Sequence, residues 1–441
     1  MPRKKDLFLR SRLLAFVVVL LTAVGNCWEN VAQAQSRDWT HARSDPNSAE
    51  RSLYKDDDDD LAVLLCALGA VAVFVDCALK TGDGFIDVTS LDQTRAGRKT
   101  QVSGYVNGGC FANTYGACYN GGISAGSESG FALNGAYIAA LKEPETDGKP
   151  FDWGYGFDFM FGEDSRLFRV EHGLDERWHT GHNSSGEPTY GFAMPQLYGS
   201  VAYNDWTFAA GHFLAPFGYE SRRADKRFFY SLGLSSDVQP ATVTGGFLTY
   251  SGIENLSATV GLVDGMDQGF DFRSGGSLVI GSFKWTATET TSLTYSVAAG
   301  DYVDRRLRNG ARFKNCGSFH SLIFEYAPDD QWTFVTTADY VNEDVGPRDV
   351  NSFVLGQHVY YAVDDSWKFG ARVEWRRLME GGLYHVDDFG FAVGVGYTPM
   401  EIERLSIRPE LRFDTCNVDK FGTARDKKAQ LCLGVEALYA F

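Results

Sequence analysis

Three things are scarce in this sequence. No unbroken apolar run reaches the ~20 residues that a helix needs to cross a bilayer. The two best runs are Leu13 to Gly25 and Leu61 to Leu79, and Asp76 interrupts the second. With a mean hydropathy of -0.22, the chain does not read as a bundle of membrane helices. Proline is scarce as well, at 12 residues against 48 glycines, and aromatic residues reach 14%. That mix suits many strands and tight turns better than helices. Positive charge is the third deficit. The net charge of -16 leaves no electrostatic footprint for nucleic acid. The 8 cysteines include no C-x-x-C pair, so structural zinc is not indicated, and nothing calls for a cofactor.

The N-terminus has the pattern of an export signal. Arg3, Lys4, Lys5, Arg10 and Arg12 precede the apolar core Leu13 to Gly25, and Ala32-Gln33-Ala34 offers an A-x-A cleavage site. The expected signal peptide is 1–34. Its removal takes away five basic and two acidic side chains, so -16 becomes -19. Residues 35–100 are expected to form a periplasmic extension. Within it, the apolar stretch 61–79 admits three readings: a helical anchor, a buried helix, or a segment with no part in the main fold. Cys110 and Cys118 flank a loop, a spacing that suits a disulfide in an oxidising envelope.

From about residue 102 the hydropathy alternates with a period of two. Phe151, Trp153, Tyr155, Phe157, Phe159 and Phe161 share one face of a strand, and Asp152, Gly154, Gly156, Asp158, Met160 and Gly162 share the other. The same pattern recurs from Trp367 to Arg376, Asp388 to Tyr397 and Leu405 to Asp414. In the last of these Pro409 lacks an N–H for the ladder, which predicts a bulge. Sixteen such segments begin near Val102, Phe131, Phe151, Phe192, Trp206, Thr242, Leu256, Leu278, Leu293, Phe319, Trp332, Phe353, Trp367, Phe389, Leu405 and Leu431. Each is about the length of a tilted strand that crosses a bilayer.

The connections alternate in length. Asn204-Asp205, 253–255, 288–290, 327–331 and 363–366 are short, whereas 112–130, 163–190, 214–241, 300–318 and 415–429 are long. Short inner turns and long outer loops belong to an up-and-down transmembrane β-barrel. The predicted fold is therefore all-β, an antiparallel barrel of about 16 strands over 101–441 in the bacterial outer membrane. An even strand number puts both termini on the periplasmic side, and a sheet in lipid must close on itself. Tyr439 and Phe441 end an alternating apolar strand of the kind that the outer-membrane assembly machinery reads.

Several stretches resemble the OmpL-like porin-2 family of β-barrel porins: Phe131-Ala-Leu-Asn-Gly-Ala-Tyr137, Met194-Pro-Gln-Leu-Tyr198, Ala202-Tyr-Asn-Asp-Trp206, Gly211-His-Phe213, Pro216-Phe-Gly-Tyr-Glu220 and Phe228-Phe-Tyr-Ser231. The likeness spans roughly 100–441. It implies passive diffusion of small hydrophilic solutes or ions across the outer membrane and names no solute. The alternative is a structural or adhesive barrel with a closed lumen. Porins of this strand number are commonly homotrimers whose third outer loop folds into the barrel. By that resemblance, Arg222, Arg223, Lys226 and Arg227 in 214–241 would form a basic constriction element; the bland reading is a solvated loop whose cations meet lipid phosphates.

Arg372, Arg376, Arg408 and Arg412, with Glu374 and Glu410, fall on the inferred lumen face, as do Asp158, Glu325 and Asp339. On the lipid face each arginine would cost about 2–4 kcal/mol near the midplane. Between the two arginine-bearing strands, Gly390, Ala392, Gly394 and Gly396 leave room for long side chains. Local arginines favour anions and the total charge favours cations, so charge selectivity stays open. In 163–190, Glu171, His172, Asp175, Glu176, His179 and His182 lie close enough to suggest a metal, but their spacing matches no known signature and no metal site is assigned. A hydrolase would need a nucleophile paired with a base. His320 and Ser321 are adjacent and so point to opposite faces, and no enzyme is expected.

Overall fold

The computed structural model describes residues 100–115, 130–168, 170, 179–180, 190–270, 276–306, 312–345, 348–381, 384–422 and 424–441. The expectations for 1–34 and 35–99, for Cys118, and for Glu171, His172, Asp175, Glu176 and His182 fall outside those residues.

Alternation becomes pairing throughout. The strands are β1 (Gln101–Asn113), β2 (Gly130–Lys142), β3 (Phe151–Gly162), β4 (His179–Thr180), β5 (Tyr190–Tyr203), β6 (Trp206–Leu214), β7 (Thr242–Ile253), β8 (Leu256–Val263) and β9 (Ser277–Thr288). They continue as β10 (Thr291–Arg306), β11 (Arg312–Tyr326), β12 (Trp332–Val345), β13 (Arg348–Ala362), β14 (Trp367–Glu380), β15 (Tyr384–Tyr397), β16 (Leu405–Cys416) and β17 (Ala429–Ala440). They form one 17-stranded sheet, in which β1 pairs with both β2 and β17. β4 is only 2 residues long, which leaves sixteen strands in the wall of a closed antiparallel barrel. Phe441 and Gly104 exchange backbone hydrogen bonds of 2.9 Å in both directions, so the two ends of the sheet close on each other.

One face of each strand is apolar because it meets lipid. Phe151 is 52% exposed and Phe208 50%, whereas inward Asp152 and Asp158 are buried. At the short-turn end the outward side chains become aromatic. Trp206 lies on Tyr250, Trp332 on Tyr361 and Trp367 on Tyr397, with ring centroids 4.6, 4.6 and 4.4 Å apart. Indole and phenol rings combine an apolar body with a polar edge, so a belt of them suits the membrane–water boundary. The tight turns use Asn204 and Asn255 at positive φ, 50° and 62°, a conformation that asparagine tolerates better than most residues.

The structure corrects two expectations. The connection 300–318 is not a long loop. β10 runs to Arg306, β11 resumes at Arg312, and the register Arg306↔Arg312 continues the hairpin. β12–β13 and β14–β15 are likewise joined tightly at the outer end. A ladder beyond the lipid needs backbone pairing but no apolar face, so hydropathy loses such a strand before its hydrogen bonds end. Nor does Pro409 create a bulge. It keeps register with Val435 on β17, and on the β15 side the ladder skips from Gly394↔Glu410 to Tyr397↔Ile407 without shifting. The missing N–H removes a rung and leaves the register intact.

Candidate functional site

The connection 215–241 between β6 and β7 lies inside the barrel, because it touches inward-facing residues on strands all round the wall. The Ala224 N–H donates to Tyr105 Oη of β1 (3.2 Å), Gly218 N–H to Ser321 Oγ of β11 (3.3 Å), Gln239 Nε2 to Asp339 Oδ2 of β12 (2.8 Å) and Leu234 N–H to Glu374 Oε2 of β14 (2.9 Å). The opening turn of 163–190, Glu163–Phe168, also turns inward. Leu167 and Phe168 are buried with Tyr137, Met160 and Ala193.

Every inward arginine of β14 and β16 is committed to this segment or to a neighbouring carboxylate. Arg372 Nη1 donates to Glu220 Oε1 (2.6 Å) and the Ser231 carbonyl (3.0 Å), while its Nε is 3.2 Å from Glu374. Arg412 donates to the Leu232 carbonyl (2.6 Å), Ser231 Oγ (3.0 Å) and Asp414 (2.8 Å). Arg408 donates to the carbonyls of Ala224 (2.8 Å) and Arg227 (2.5 Å) and pairs with Glu436. Arg376 bridges Asp388 (2.5 Å) and Asp237 (2.7 Å). Glu410 accepts from the Ser231 N–H (2.8 Å) and from its hydroxyl. Arg372, Arg412 and Glu410 therefore converge on Ser231, Glu374 accepts from the Leu234 and Ser235 N–H groups, and Arg376 and Arg408 anchor the segment elsewhere.

The segment's own cations split three ways. Arg222 donates to the carbonyls of Leu167, Ser236 and Gln239 (3.3, 2.9 and 2.6 Å), which knits the two inward segments together. Arg223 pairs with Asp225 at 2.9 Å and approaches Asp158 at 3.8 Å, and its guanidinium lies over the Tyr137 ring. Arg227 is buried against Asp164 at 3.2 Å. Only Lys226 of the four is exposed. Asp158 also accepts from Tyr137 and from Gln196 (2.6 Å), and Glu325 accepts from Ser292 (3.4 Å).

The small residues of β15 do leave room, and side chains of 215–241 take it. A Cβ at Gly396 would lie 3.3 Å from Phe228, one at Gly394 3.2 Å from Phe229, and one at Gly390 3.6 Å from Leu234. Tyr230 packs on Gly109 and Gly434 and donates to Asn134 Oδ1 at 3.0 Å. Gly233 approaches the wall so closely that a Cβ there would lie 2.7 Å from the Glu374 carboxylate carbon. Arg372 completes the clamp with its guanidinium 4.7 Å from the centre of the Phe229 ring. Under the segment, toward the short turns, a cavity of about 270 Å³ is lined by Asp225, Phe228, Asp364, Asp365, Lys368 and Thr398, among others.

Two carboxyls of the inward segments are perturbed in opposite directions. Burial pushes Asp164 up to about 6, more than the Arg227 and Arg166 guanidiniums pull it down. Burial also acts against the Glu220 anion, but Arg372, His358 and the Gly233 N–H outweigh it and hold that carboxyl below its ordinary value. Sequence reasoning missed Asp164 and Asp237, and it met Glu220 and Ser231 only as the ends of two family-like stretches, with no role at the site. Glu436 was within reach of the period-two pattern of β17, whose outward set is Leu431, Leu433 and Val435.

The family model described as putative beta-barrel porin-2, OmpL-like, matches residues 99–441. No curated protein sequence matches the chain significantly. Among solved structures, the in-vitro folded OmpT of Vibrio cholerae in its trimer form superposes with a TM-score of 0.51 at 12% identity, covering 78% of this chain and 99% of that one. An anion-selective porin from Comamonas acidovorans gives 0.51 at 10%, covering 78% and 99%. The outer membrane channel DcaP of Acinetobacter baumannii gives 0.51 at 10%, covering 79% and 99%.

Proposed function

We propose, from the premise that this chain belongs to the OmpL-like porin-2 family, that small hydrophilic solutes diffuse through its barrel past a constriction set by residues 215–241. The protein is an outer-membrane β-barrel porin, and passage through it needs no energy input. One observation carries the constriction reading: 215–241 is bonded to inward side chains of β1, β11, β12, β14 and β16, so it crosses the lumen instead of lying on the outer rim. Arg372, Arg376, Arg408 and Arg412 then serve chiefly to hold the constriction, with Glu374 and Glu410 as their counter-charges. Arg222, Arg223 and Arg227 brace it from within, and Lys226 is the loop cation left facing solute. Asp158, Glu325 and Asp339 complete the polar inner wall.

Several finer points belong to the same reading. Residues 1–34 act as a signal peptide and 35–100 as a periplasmic extension. Both termini lie on the periplasmic side, as expected for an even number of wall strands. The outward Tyr439 and the terminal Phe441 present the assembly signal. The functional unit is a homotrimer, as in the trimer form of OmpT to which this fold is similar. No chemistry is catalysed. A barrel with a closed lumen is the rival reading, and one observation favours it: Phe247, Ile280, Phe319 and Val341 face inward and pack against Phe217 of the segment. Planar-bilayer recording of the detergent-purified protein separates the two. Ohmic steps support diffusion, and a silent bilayer with folded protein supports the rival.

A further inference from the structure

The wall opposite the arginines carries a different chemistry. On β6–β11, the inward residues at one level of the barrel are all hydroxyl-bearing, and cross-strand register links them in a row. Thr207 pairs with Thr249, Thr249 with Thr259, Thr259 with Ser282, Ser282 with Ser296, and Ser296 with Ser321. The inward assignment follows from the neighbours, because Trp206, Phe208, Leu248, Val260 and Phe283 are all large, exposed and on the lipid side. Thr249 and Thr259 share a hydrogen bond of 2.8 Å, and so do Ser282 and Ser296. Thr207, Thr249, Thr259 and Ser282 remain partly exposed to the lumen.

Charge is sparse on this side. Toward the short turns, the next inward level is Ser257, Lys284, Thr294 and Ile323, and the one after it holds Thr286, Ser292 and Glu325, so Lys284 and Glu325 are the charged groups of those levels. Across the lumen, Arg372, Arg376, Arg408 and Arg412 are each matched by carboxylates. Four neighbouring strands, β6 to β9, thus present rotatable O–H groups to the lumen, each able to donate and accept, while the fixed charges on the far wall neutralise one another. Polar surface without net charge gives an ion no preferred sign and gives a hydroxylated solute replacements for the water that it sheds.

We infer that the lumen-exposed part of the hydroxyl row, Thr207–Thr249–Thr259–Ser282, is the solute track, with the buried Ser296 and Ser321 continuing the row beneath the segment, and that it selects small neutral polyhydroxylated solutes over ions of similar size. This rests on the diffusion reading above and names its solute class. The test uses the full-length protein in liposomes, with swelling rates in mannitol and gluconate, and planar bilayers under a KCl gradient. The expected results are a higher rate for mannitol than for gluconate and a reversal potential near zero. The triple variant Thr249→Val, Thr259→Val, Ser282→Ala should lower the mannitol-to-gluconate ratio about fivefold, the equivalent of one hydrogen bond of about 1 kcal/mol. Reading a ratio within each preparation removes differences in folded yield. The variant Thr249→Ser, Thr259→Ser keeps both hydroxyls and should keep the ratio. Channels that conduct but strongly prefer one ion sign, or a ratio that the triple variant leaves unmoved, would overturn the track and leave the porin reading standing. Folded protein that neither conducts nor passes mannitol would overturn both.

Discussion

Arg372 shows how much of the interior depends on single charges. It is almost fully buried between Glu220, Glu374 and Ser231. Removing one member of such a cluster leaves uncompensated buried charge at a cost of about 3–5 kcal/mol. Arg372→Ala should therefore lower the urea midpoint in detergent. Arg372→Lys should recover only part of the loss, since an ammonium cannot span the fork that a guanidinium fills. Asp164 makes the opposite case. Its folded value near 6 lies above the ordinary 3.8, so the folded protein holds this proton more tightly than the unfolded chain does. That contribution to stability is full below the unfolded value and is lost as pH rises through about 6, by about 3 kcal/mol at neutrality. Urea midpoints should rise on mild acidification, and Asp164→Asn should flatten that part of the profile. An unchanged slope in the variant would contradict the assignment. These partners could not be read from the sequence. Ser231 meets Glu410 across 179 positions and Arg372 across 141, separations that no local pattern encodes. The inward direction of the arginines was legible, because a strand's alternation fixes it.

At the scale of the strand, alternation predicts opposite outcomes for neighbours. Phe208 faces lipid at 50% exposure, whereas Thr207 faces the lumen. Phe208→Arg, one outward position in from the Trp206 belt, should cost about 1–2 kcal/mol, and Thr207→Arg far less. Urea titration of protein folded into liposomes measures both, and equal costs would mean that the register of β6 is wrong. The sequence was most informative at this scale. Strand starts at the short-turn end, such as Phe151, Trp206, Leu256, Trp332, Trp367 and Leu405, agree with the structure because lipid, aromatic belt and tight turn coincide there. Starts at the outer end, such as Phe319 against Arg312 and Phe353 against Arg348, were placed late because the ladder there runs on in water. The segment 215–241 was legible as a long connection. Its inward course came from resemblance, and its anchoring was seen only in the folded chain.

For the whole molecule, the proposed function makes conductance depend on the segment 215–241, which is bonded across the interior of the closed sheet. Gly233→Ala places a methyl against the Glu374 carboxylate and should loosen that strap, giving noisier and larger channels than the parent. The most direct test of the account is single-channel recording of the parent beside a variant in which 221–236 is replaced by a short glycine-serine linker, with folding checked for both. Ohmic steps from the parent and several-fold larger steps from the variant are the predicted result. Equal steps from the two would contradict a constriction at 215–241, and silence from both would contradict transport itself.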